Sequence, residues 1–179
     1  MTIHNNDMPA LNEFDLLLVI AQLSVAFAGF ASLASALSNR NHGDETRVDA
    51  GRLINMLIVS LCTTMLALVP FIPALFGLSE ALVWRSSALT ALGALVLFAP
   101  AVMARTKRMK QYAEFNSRSN VVNLGLAAIA ALGFGFCVSG FPALNPSASY
   151  VAGLIALLLT CAIVFFRVIA SLLRPHTPD

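Results

Sequence analysis

Residues 14–37 read FDLLLVIAQLSVAFAGFASLASAL, and this run decides the class of fold. It holds one charge, Asp15, in its first turn, and one strongly polar residue, Gln22, further in. At 1.5 Å per residue, a helix of about 20 such residues crosses the roughly 30 Å of hydrocarbon in a bilayer. Four later stretches meet the same requirement: 53–78, 81–103, 121–141 and 148–166. The expected fold is all-α, a polytopic transmembrane helical bundle of five spans. A tail over 1–13 precedes a single transmembrane domain over 14–173, and 174–179 form a second tail.

Composition supports this reading. Apolar residues make up 58% of the chain and charged residues 11%, with a mean hydropathy of +0.80. A water-soluble domain holds about 45–50% apolar and about 25% charged residues, so this chain has too little polar surface to cover a soluble globule. The net charge of +2 says little as a total; its placement says more. With the N-terminus outside, the inner segments carry Arg40, Arg47, Arg52, Arg105, Lys107, Arg108, Lys110, Arg118, Arg167 and Arg174, and the outer ones only Arg85. Cytoplasmic loops are enriched in Lys and Arg, so this asymmetry orients the chain with its C-terminus in the cytoplasm. The first 13 residues hold no Lys or Arg, and the apolar run after them exceeds a signal peptide's core, so the first span is expected to be a retained anchor. The pattern resembles that of small inner-membrane proteins of bacteria.

Polar residues inside spans are the first candidates for function, because an unsatisfied polar atom is costly in hydrocarbon. They are Gln22, Asn55, Thr63, Thr64 and Asn123. Gln22 reads as a clamp between helices or a residue lining a path. Ser60, Thr63 and Thr64 can return their hydroxyls to their own helix. No Asp, Glu, Lys or His occupies the middle of a span, which argues against a proton-driven pump. Asp15, Glu80 and Arg85 cluster at outer span ends, where Arg85 could latch to either acid. Trp84 and Tyr150 lie at the depth of an interfacial aromatic belt.

Small residues four apart mark candidate packing faces, because they let backbones approach closely in lipid. Ala127, Ala131, Gly135 and Ser139 form one such stripe, and Ser24, Ala28, Ser32 and Ala36 another. Either could pack within the chain or against a second copy, giving a homo-oligomer. Pro70, Pro73 and Pro100 predict kinks or helix ends. The spans at 53–78 and 81–103, and those at 121–141 and 148–166, form a weak parallel repeat of two hairpins, each with an Asn at its inner end.

The inner loop after residue 104 is basic. Arg105, Lys107, Arg108 and Lys110 beside a membrane helix suit anionic lipid headgroups at the inner face. The orientation rule accounts for the same charges without RNA or DNA, so no nucleic-acid partner is expected. Cys62, Cys137 and Cys161 sit inside apolar runs with no metal-ligand spacing, and His42 with Glu45 lacks a third ligand. No cofactor and no catalytic residue is expected, and the chain reads as non-enzymatic. Two functional readings follow. The first is a structural, assembly or channel-like oligomer component. The second is a transporter or pore for a small solute or ion, with a path lined by Gln, Asn and Ser.

Overall fold

A computed structural model describes residues 12–38, 44–109, 117–140 and 145–172. Among them the chain is helical, in the order α1 (Glu13–Ser38), α2 (Asp44–Leu68), α3 (Phe71–Leu75), α4 (Glu80–Met109), α5 (Ser117–Ser139) and α6 (Pro146–Leu172). Five stretches are long and apolar enough to cross a membrane: Glu13–Ala34, Leu53–Leu75, Glu80–Ala104, Val121–Ser139 and Pro146–Ala170.

Local chemistry sets the ends of these helices. Asn12 Oδ1 accepts from Phe14 N at 3.3 Å, and Glu13 and Asp15 place negative charge in the first turn of α1. Asn145 does the same for α6, accepting from Ser147 N at 3.2 Å, and Pro146 takes the first helical position, where its missing N–H costs nothing. The second span is bent rather than straight. Pro70 cannot donate to the carbonyl of Leu66, so α2 stops at Leu68 and one short turn, α3, follows. That turn closes with Leu78 N on Pro73 O at 3.3 Å and Gly77 N on Ala74 O at 3.0 Å. Gly77 takes the left-handed φ of 69° this closure needs. Pro100, by contrast, lies inside α4, which runs unbroken.

α6 is the axis of the bundle and packs against α1, α2, α4 and α5. α1 packs along α2, and α4 leans on α5. The tightest approach is between α5 and α6. A Cβ built on Gly133 would sit 2.8 Å from Ser149 O, and one on Gly153 would sit 2.7 Å from the Phe134 ring. The expected stripe of Ala127, Ala131, Gly135 and Ser139 does not carry this contact. Steps of four residues advance about 400° around a helix, so such a stripe drifts by about 40° per step. It begins beside the buried face of Ala130, Phe134 and Cys137 and ends at the exposed Ser139, and a Cβ on Gly135 would meet nothing. The two hairpins of the expected repeat are also packed unequally, since α5 and α6 are close partners while α2 and α4 touch over a shorter stretch.

The core has two parts. A large cluster joins Leu17, Leu66, Trp84, Phe134, Tyr150 and Leu154, with Phe14 and Phe71 at its margin, and so draws on every helix. A smaller one joins Ala31, Leu53, Met56 and Val168, from α1, α2 and α6 alone. The N-terminal ends of α1, α4 and α6 therefore gather with the C-terminal ends of α2 and α5 at the Trp84 end. Successive long helices alternate in direction.

Candidate functional site

The densest chemistry lies at the Trp84 end. Tyr150 is fully buried, with its ring 5.8 Å from that of Trp84 and 5.3 Å from that of Phe134. Phe14 extends the stack, 5.9 Å from Trp84 and 5.1 Å from Phe71. Ring pairs at these separations add to what burial alone gives. The two residues expected in an interfacial belt, Trp84 and Tyr150, therefore face inward. That direction is not readable from the sequence.

One polar contact ties this stack to the bend at Pro70. Tyr150 Oη donates to Leu66 O at 2.7 Å, the carbonyl that Pro70 leaves without its usual helical donor. Val69 N reaches the same oxygen at 3.3 Å. Proline at 70 and tyrosine at 150 thus form one device, in which a broken helix bond is remade from another helix. Around it, Ser147 Oγ lies 2.6 Å from Glu13 Oε1 and 2.8 Å from Asn145 Oδ1, joining the starts of α1 and α6. The Arg85 guanidinium, expected to latch to Asp15 or Glu80, lies against Gly140 at the C-terminal end of α5, where its charge complements the helix dipole. Between α1, α3 and α4 a half-open crevice of about 310 Å³ is lined by Glu13, Phe14, Glu80, Val83 and Trp84.

The intramembrane candidates fall in different places. Thr63 and Thr64 are buried on α2 and return their hydroxyls to Val59 O at 2.8 Å and Ser60 O at 3.0 Å. Asn55 and Asn123 are half-buried on α2 and α5, each with a buried, unpartnered Oδ1. α6 packs against both of their helices. Gln22 is exposed, on the side of α1 that turns away from the other helices. Arg105, Lys107 and Arg108 fall on the last residues of α4, past the apolar stretch that ends at Ala104. Their side chains lie outside the described residues, as does the whole of Lys110, together with His42, Arg40 and Arg174.

Sequence reasoning missed a level of small polar groups midway between the two cores. Ser60 Oγ donates to Cys161 Sγ at 3.3 Å between α2 and α6, and both residues are fully buried. Ser24 of α1 is also fully buried, and its Oγ has no partner. Leu17 and Leu66 share the larger cluster and Ala31 and Met56 the smaller one, so on the neighbouring α1 and α2 both Ser24 and Ser60 fall between the two clusters. The Ser24–Ala28 spacing read as a packing stripe was the available signal. Cys137 makes a similar contact, donating from Sγ to Trp84 O at 3.4 Å.

No protein family, no curated protein and no solved structure gives a significant match to this chain. Its class rests on its own residues: five apolar helices, compatible with an integral membrane protein.

Proposed function

We propose that this chain is a non-enzymatic, multi-pass protein of a bacterial inner membrane and a structural or assembly component of an oligomer. The N-terminus lies outside and the C-terminus in the cytoplasm. The alternation of the helices supports this orientation. With the N-terminal ends of α1, α4 and α6 at one end, the helix ends that carry Arg47, Arg52, Arg105, Lys107, Arg108, Arg118 and Arg167 fall at the other. The basic end of α4 then lies at the inner surface, where Arg105, Lys107, Arg108 and Lys110 meet anionic headgroups.

One observation carries the assembly reading. The interior of the chain closes on itself, with an aromatic stack at one end and Ala31, Leu53, Met56 and Val168 at the other, while its strongly polar mid-span residue, Gln22, turns outward. A protein built to pass a solute through its own bundle would turn that residue inward.

A second reading, a transporter or pore for a small solute or ion, draws on the Glu13–Glu80 crevice and on the unpartnered Asn55 and Asn123. Liposomes carrying the purified protein separate the two. The assembly reading expects ion and solute fluxes equal to those of protein-free liposomes. A protein-dependent flux that falls in Asn55→Leu or Asn123→Leu would establish transport instead.

A further inference from the structure

Gln22 stands nine residues into an apolar stretch, Glu13–Ala34, of 22 residues. At 1.5 Å per residue that is about 13 Å from its start, near the middle of the hydrocarbon layer. The bundle covers the opposite side of α1, through Leu17, Ile20, Ala21, Ser24, Ala28 and Ala31. At about 100° per residue, Gln22 lies across the helix from the centre of that face. Leu18, Val25, Ala26, Gly29 and Leu33 share its exposed side. A Cβ built on Gly29 would meet nothing within 4 Å, so none of the described helices packs on α1 at this point. Among the described residues Gln22 has no hydrogen-bond partner.

A primary amide in this position has a donor and an acceptor, no water and no route to the headgroups. Its side chain is far shorter than the distance to either surface. What satisfies it must arrive laterally, at the same depth, and must offer both a donor and an acceptor. A second copy in the same membrane orientation meets all three conditions by symmetry. A two-fold axis along the membrane normal brings Gln22 to Gln22, with the amide N–H of each donating to the carbonyl of the other. Ala26 and Gly29, on the same face, let the two α1 backbones come close enough for this.

We infer that α1 is the homodimer interface, centred on a reciprocal Gln22–Gln22 amide pair with Gly29 at the point of close approach. This rests on the assembly reading above and names its contact.

The test uses the full chain in lipid bilayers, with Cys62 replaced by Ala, and measures oligomeric state by single-molecule photobleaching at fixed protein-to-lipid ratio. Helix content by circular dichroism serves as the folding control. The unsubstituted chain should be dimeric. Gln22→Leu should lower the dimer fraction at least tenfold with helix content unchanged, and Gln22→Asn, which keeps the amide, should retain most of it. Gly29→Cys should form an intermolecular disulfide under mild oxidation, and Leu97→Cys, exposed on α4, should not. A dimer that survives Gln22→Leu and crosslinks at 97 but not at 29 would overturn this interface and leave the assembly reading standing. A chain that is monomeric at every ratio would overturn both.

Discussion

At the Trp84 end all six helices share one apolar cluster, whereas among the described residues the cluster at the Met56 end draws on α1, α2 and α6. The difference follows from side-chain size and from where the small residues lie. Trp84, Tyr150, Phe134, Phe14 and Phe71 fill the space among several helices at one end. Toward the other end α4 and α5 turn their large residues outward, with Val96 at 74%, Leu97 at 73% and Val121 at 65% exposure. In water such a surface would be an aggregation liability, but in lipid it is ordinary. The Trp84 end is thus where the chain holds itself together. At the Met56 end the described buried cluster is built from three helices.

This contrast orders the effects of substitution, measured as unfolding free energy in bicelles. Trp84→Ala removes the centre of the larger cluster and should destabilise by about 3–5 kcal/mol, the usual range for a buried large aromatic. Gly133→Leu forces a side chain into the Ser149 carbonyl on α6 and should cost about 1–3 kcal/mol, separating α5 from α6. Tyr150→Phe keeps the ring and deletes only the donor to Leu66 O, for about 1 kcal/mol. Restoring a backbone donor with Pro70→Ala in the same chain should recover most of that loss. Leu97→Ala, on the outward side of α4, should stay within about 0.5 kcal/mol. If Leu97→Ala cost as much as Trp84→Ala, the contrast between the two ends would be wrong.

The sequence disclosed the spans far better than their faces. Five apolar runs of membrane length are visible because crossing hydrocarbon demands them, and Pro70 foretold the bend in the second. Which side of each helix turns inward was hidden, because these helices are apolar nearly all round and have no polar face to point outward. For that reason the inward direction of Trp84 and Tyr150 and the outward one of Gln22 are not legible in the sequence. The small-residue stripe on α5 is not the face that meets α6, since a four-residue repeat drifts around the helix while Ala130, Phe134 and Cys137 stay on one side. The Tyr150–Leu66 bond could be anticipated in part, as a proline in a span leaves a carbonyl that something must satisfy. Nothing local to residue 66 indicated that the donor would come from 84 residues along the chain.

Five crossings with the N-terminus outside are tested most directly by single-cysteine labelling. Single cysteines at Ser79 and at Lys107, in a background without native cysteines, are exposed to a membrane-impermeant maleimide in intact cells and in inverted vesicles. The orientation proposed here predicts that Ser79→Cys reacts only in intact cells and Lys107→Cys only in inverted vesicles. Labelling of Lys107→Cys from outside the cell, or of both positions from the same side, would contradict it.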